Sequence, residues 1–276
     1  MPSKLRLVDS WVNNTPKGAE WDDTEVPTKL FPGLADRYRA GRTTEELVAE
    51  MDESGIEEAV ICAGWDLKHN DMSWVLDALD RFPERFHGLL TIDPFKAMDG
   101  VRELESCVKD HGFKMARIAA LRTLIPYDDP RCYPFYAKCV ELDVPISINV
   151  GLPGPLVAAA EFQHPIVLDK ICAFFPELKV VMAHGGDPWT ELCVKLMQKW
   201  QNIYYMTSAF SPRRLPQPII RYMNGSGSDR IMWASDYPLL TFDRCVAEIE
   251  DMEFRDDTVR QKFVADNARR VIIGQA

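Results

Sequence analysis

Short runs rich in apolar and β-branched residues alternate with helix-period segments from one end of this chain to the other, and that alternation narrows the fold more than any other feature. It is the pattern of repeated parallel βα units rather than of β-meanders. Strands are predicted at residues 5–12, 59–63, 86–92, 115–119, 145–150, 179–183, 203–206 and 231–234. Eight such units in 276 residues favour closure into an α/β structure, a (β/α)8 barrel of the TIM type, over an open doubly wound sheet. No linker, low-complexity tract or longer repeat interrupts them, so a single domain over residues 1–276 is expected.

Local signals agree with the alternation. Thr43-Thr44-Glu45-Glu46 predicts a capping box, in which the Thr43 hydroxyl and the Glu46 carboxylate satisfy amides that the first helical turn leaves unpaired. Gly55 should end that helix. Asp129-Pro130 predicts a cap and a pre-set first turn, and Pro188 is expected to play the same part after the strand at 179–183. The one long irregular stretch, residues 13–42, is expected to lie over the barrel mouth, because structureless connections beyond about 15 residues are usually lids or binding loops.

Composition limits the partners. With 32 basic and 42 acidic residues the formal charge is -10. That charge repels phosphate backbones and anionic lipid surfaces, so neither nucleic acid nor a membrane is expected, and a small molecule is. Seven scattered cysteines contain no C-x-x-C pair, which fits a reducing, cytoplasmic setting better than a disulfide framework or a zinc knuckle. No charged-then-apolar leader follows Met1, and no apolar run approaches the ~18 residues of a membrane span.

In a barrel the C-terminal ends of the strands meet at one mouth, so residues far apart in sequence become neighbours there. The predicted strand ends bring together Trp11 and Asn13, Cys62 and Trp65, Asp93, Arg117, Asn149, His184, Thr207 and Ser208, and Asp236. Two of these ends stand out. The strand at 179–183 runs into His184-Gly185-Gly186-Asp187-Pro188-Trp189, and the strand at 231–234 runs into Ser235-Asp236-Tyr237-Pro238.

These two motifs, with Arg85-Phe86-His87-Gly88 leading to Asp93-Pro94 and the closing Asn267-Ala268-Arg269-Arg270, resemble the amidohydrolase-related branch of the amidohydrolase superfamily over essentially the whole chain. The resemblance implies a TIM-type barrel with its site at the mouth. That branch includes hydrolases, lactonases of cyclic dicarboxylates and non-oxidative decarboxylases. Its barrels are often dimers, so a homodimer is one expectation. The resemblance also implies a divalent metal, held by an H-x-H pair on strand 1, histidines on strands 5 and 6, and an aspartate on strand 8. The matching positions here are Trp11, Asn13, Asn149, His184 and Asp236. Three of those five cannot serve, since neither indole nor a carboxamide nitrogen is a practical donor.

The leading expectation is therefore a metal-independent hydrolase with no cofactor. It would act on a lactone, an ester-like bond or an activated carbon–carbon bond in a carboxylate-bearing catabolic intermediate. Asp236 would activate water, with His184 as its partner. Arg117, with Arg122 from the following loop, would grip an anionic substrate, and Arg213 and Arg214 would also face the mouth. Asn13, Asn149 and Ser208 would donate to a developing oxyanion, while Trp11, Trp65 and Tyr237 would form flat walls. Two alternatives stand beside it. One is a non-oxidative decarboxylase with a depleted metal site of Asp9, His184 and Asp236. The other is a barrel that binds a ligand without catalysis.

Overall fold

The computed structural model describes residues 6–13, 15–18, 31–64, 72–152 and 159–275. Eight strands follow one another around a sheet: β1 (Leu7–Asn13), β2 (Ile56–Ala63), β3 (Phe86–Thr91), β4 (Phe113–Ile118), β5 (Ile146–Asn149), β6 (Val180–Ala183), β7 (Ile203–Met206) and β8 (Ile231–Met232). Each pairs in parallel with the next. The sheet closes between β8 and β1 through backbone bonds from Ser10 N to Trp233 O (3.2 Å), Asp236 N to Trp11 O (3.0 Å) and Asn13 N to Tyr237 O (2.8 Å). The expected α/β TIM-type barrel is the observed one.

Residue alternation along each strand separates two cores. On β4, Ala116 and Ile118 pack outward with the helices, whereas Met115 points inward. Ile146 and Ile148 do the same on β5, leaving Ser147 and Asn149 buried on the other face. This is the period-2 geometry of a strand with both faces covered. The inner layer of Trp11, Val60, Cys62, Leu89, Met115, Val181, Met206 and Met232 fills the barrel, and Val271 and Ile272 from the C-terminal helical segment join it. Gly88 has a steric reason on β3, since a Cβ there would meet the Phe113 ring at 2.6 Å.

The helix signals are met in two places and shifted in a third. Helix α1 (Leu34–Ala40) lies within the stretch expected to be irregular, and α2 (Thr44–Ser54) starts with the complete Thr43/Glu46 capping box and ends at left-handed Gly55. Asp129 accepts from Arg131 N ahead of Tyr133–Glu141. Pro188 does not open a first turn as expected: it follows a cis peptide bond, and the helix begins at Thr190. Among the described residues no helix is long and apolar enough to cross a membrane.

Candidate active site

Both motif residues sit in a backbone conformation that their side chains disfavour. His184 has φ 66° directly after β6, and Asp236 has φ 59° four residues after β8 ends at Met232. Such left-handed residues persist where surrounding contacts over-determine them. Gly185 (φ 81°) and Gly186 (φ 65°) continue the turn after His184, and a Cβ on Gly185 would lie 2.0 Å from the Phe210 ring. The His184 and Trp11 rings meet edge to face, with 4.9 Å between centroids.

Asp236 is held from one side by Asn13. The Asn13 Nδ2 donates to Asp236 Oδ1 (2.7 Å) and to the carbonyls of Asp236 (3.3 Å) and Tyr237 (3.1 Å), while Asn13 Oδ1 accepts from Trp11 Nε1 (3.1 Å). Asp236 Oδ2 faces His184 Nδ1 at 3.7 Å. That ring nitrogen also shares a 2.9 Å bond with Ser208 Oγ, which accepts from the His184 backbone N–H at 3.1 Å. Burial pushes the Asp236 carboxyl up to about 7, against the pull of Asn13 and Arg117. Burial and the Arg117 charge push His184 down to about 3, so the imidazole is neutral near pH 7 and its contact with Asp236 is not an ion pair.

Arg117 comes from β4 and is buried. Its guanidinium lies over the Trp11 ring at 4.7 Å, Nη1 approaches Cys62 Sγ at 3.8 Å, and its Nε is buried with no hydrogen-bond partner among the described residues. Asp93 does not pair with it; that carboxylate caps Phe95 N at 2.9 Å.

The mouth therefore brings together Trp11, Asn13, Arg117, His184, Ser208 and Asp236 from five strands. Asn149 is buried at the end of β5 with its Oδ1 unpartnered among the described residues, and its carbonyl accepts from Tyr127 Oη at 2.8 Å. Other expectations are corrected. Asn13 is committed to Asp236 and Ser208 to His184, so neither stands ready for an oxyanion. Tyr237 turns outward, stacking on Phe242 at 4.3 Å and donating to Glu50 Oε2 at 2.7 Å, because Asp236 and Tyr237 point to opposite sides of the chain. Arg213 is exposed and reaches Asp251 at 3.2 Å. Arg122 lies in the short helix Ala120–Thr123 after β4. Trp65 lies outside the described residues.

One neighbour was missed. The Tyr38 phenol from α1 is pushed well above its usual range by burial and by Asp236 and Cys62, with Arg117 pulling the other way. Arg37, the residue before it, ties α1 to the loop after β8 through the carbonyls of Pro238 (2.7 Å) and Leu239 (3.0 Å). The signal available was the helix-period Leu34-Ala35-Asp36-Arg37-Tyr38 inside a stretch otherwise punctuated by Pro and Gly.

The profile of the amidohydrolase family matches residues 8–272. The chain belongs to that family. A gamma-resorcylate decarboxylase of Polaromonas sp. (strain JS666 / ATCC BAA-500) is 24% identical over an alignment covering 89% of this chain and 91% of that protein. The 5-carboxyvanillate decarboxylase of Sphingomonas paucimobilis superposes with a TM-score of 0.72 at 18% identity, covering 97% of this chain and 99% of that one. A dihydroxybenzoic acid decarboxylase of Polaromonas sp. JS666, solved with manganese and the inhibitor 2-nitroresorcinol, gives 0.70 at 20%, covering 97% and 96%.

These relatives correct two expectations. All three are named as decarboxylases, which overturns hydrolysis as the leading reading. Manganese in one of them overturns the expectation that the chemistry goes without a cofactor. A manganese-type ion takes several oxygen or imidazole donors. Among the described residues no three His, Cys, Asp or Glu side chains group so as to hold one. His184 and Asp236 face each other; Asp9 Oδ1 accepts from the N–H groups of Trp11 (3.1 Å) and Ser235 (3.0 Å), its Oδ2 is buried without a partner among the described residues, burial pushes that carboxyl up to about 7, and Asp9 does not group with the other two. The family-type ligand set does not fit the residues described.

Proposed function

We propose that the chain is a non-oxidative decarboxylase of a small hydroxylated aromatic carboxylate. The observation that carries this reading is the opposition, across one buried mouth, of a fixed carboxyl (Asp236) and a fixed guanidinium (Arg117) mounted on Trp11. Decarboxylation needs an anion anchor and a proton for the carbon that loses CO2, and these two groups have the matching chemistry. The relatives' substrates supply the aromatic class.

Arg117 holds the substrate carboxylate through charge-assisted hydrogen bonds. Asp236 in its neutral form gives its proton to the ring carbon that bears the carboxylate, forming the C–H bond. The C–C bond then breaks, its electron pair restores the aromatic ring, CO2 leaves, and the Asp236 carboxylate takes a proton from water. Neutral His184, oriented by Ser208, supports Asp236 without competing for its proton. Arg122, Asn149 and Trp65 belong to this reading as substrate contacts. All seven cysteines are buried and free, which supports a reducing cytoplasm, and the chain from 1 to 276 is read as a single domain.

The test is release of CO2 from 2,6-dihydroxybenzoate and 5-carboxyvanillate, with and without added manganese. In D2O one deuterium should appear at the carbon that carried the carboxylate. No CO2 from a panel of hydroxybenzoates under either condition overturns the reading.

A further inference from the structure

Trp11 and Asn13 stand where the family pattern has metal-binding histidines, and they are joined into something with a different use. Four contacts fix the Asn13 amide: three acceptors face Nδ2, and the one donor, Trp11 Nε1, faces Oδ1. Reversing the amide would set every one of them donor to donor or acceptor to acceptor, so Asn13 presents only a donor to Asp236. Trp11 reaches the rest of the site with the same ring. Its face carries the Arg117 guanidinium at 4.7 Å, and it makes the edge contact with His184 at 4.9 Å. The indole is fully buried in the inner core among Val60, Cys62, Leu89 and Met115, so it cannot swing to follow either partner.

We propose that Trp11 and Asn13 are a positioning pair: Asn13 fixes the Asp236 carboxyl, Trp11 carries the Arg117 guanidinium, and the Nε1–Oδ1 bond makes the two a rigid spacer. The pair touches no reacting atom. It sets the distance between proton carrier and anion anchor, and therefore whether the Asp236 proton reaches the ring carbon next to the carboxylate that Arg117 holds. The inference rests on the decarboxylase reading for its kinetic consequences and on geometry alone for its structural ones.

Three variants separate its parts. Asn13→Ala releases Asp236 but leaves the Trp11 platform, so kcat on 2,6-dihydroxybenzoate should fall roughly 10- to 100-fold with KM within about threefold of the parent, as expected when correct orientation is lost after binding. Trp11→Phe keeps a ring under Arg117 and loses the N–H, so kcat should fall about fivefold at unchanged KM, the size of one neutral hydrogen bond. Trp11→Leu removes the platform and should raise KM about tenfold or more. A purely structural role predicts lower stability in all three without a split between kcat and KM. Binding and crystallography do not depend on turnover. Calorimetry with 2,6-dihydroxybenzoate should show weakening in Trp11→Leu but not in Trp11→Phe, and crystals of Asn13→Ala should show Asp236 in more than one rotamer. A parent enzyme without turnover would mark failure of the decarboxylase reading alone. Parent-like affinity in Trp11→Leu, or a single unchanged Asp236 rotamer in Asn13→Ala, overturns the positioning pair.

Discussion

Asp236 must be neutral to act as the proton donor, and its burial places that condition in an accessible pH range. Because the carboxyl titrates at about 7, the protonated fraction is nearly complete at pH 5.5 and falls tenfold per unit above neutrality. Turnover should therefore be level on the acid side and decline through pH 7, and a rate that rises across this range would remove Asp236 as the acid. Asp9 shows the same physics with a stability readout. Its folded carboxyl is raised to about 7 while an unfolded one sits near the ordinary value of 3.8, so the folded state binds the extra proton between those limits. Stability from this group is present at low pH and is lost as pH climbs from about 4 to about 7. Asp9→Asn keeps an acceptor for Trp11 N and Ser235 N and removes the charge. Thermal melts of the variant should change less with pH over that window than those of the parent, with the variant the more stable of the two at pH 8. None of this was readable from residue type alone: Asp9 lies inside β1 and Asp236 beyond β8, and only the backbone around each shows that Asp236 faces the barrel mouth while Asp9 accepts from the N–H groups of Trp11 and Ser235.

The turn after β6 is where an element as a whole, rather than a side chain, sets the chemistry. Gly185 has φ 81° and leaves room for the Phe210 ring, so Gly185→Ala meets both left-handed strain and a clash. A loss of roughly 2–4 kcal/mol is expected from urea unfolding, together with displacement of His184. A variant within 0.5 kcal/mol of the parent would show that the turn has slack. The strands themselves were legible, because apolar β-branched runs between turn signals have few other uses, and all eight were found. Their ends were less so. β2 begins at Ile56 rather than at 59, since Glu57 and Glu58 are drawn into the strand by charged partners at the barrel bottom. β8 stops at Met232 because the next amides leave the ladder: Ala234 N binds Thr207 Oγ1 (3.1 Å) and Ser235 N binds Asp9. Helix α1 was hidden for the opposite reason. Its helix period covers only seven residues within a Pro- and Gly-punctuated stretch, and Arg37 anchors it by bonds to a loop about two hundred residues away.

At the scale of the molecule, a barrel separates the end that does chemistry from the end that holds the fold together. The bottom of this one is closed by an ion network: Arg269 from the C-terminal helical segment reaches Glu57 (2.9 Å) and Glu58 (2.8 Å), and Glu58 also meets His87 at 2.8 Å. Burial alone would raise the Glu58 carboxyl, yet His87 and Arg269 hold it below its usual range, so it is a charge that depends on its partners. Removing one partner of this half-buried network, in which His87 stays beside Glu58, should cost about 1–2 kcal/mol, less than for a fully buried pair. Arg269→Ala should lose on the order of that amount in chemical denaturation, and Val271 and Ile272, which that segment inserts into the barrel, should lose protection in hydrogen exchange. The mouth lies at the other end of the same strands. At a temperature where the variant stays folded, its kcat and KM should remain within about twofold of the parent, because neither Arg117 nor Asp236 touches the network. A change in KM as large as that expected of Trp11→Leu would mean that the two ends of this barrel are coupled through its inner layer.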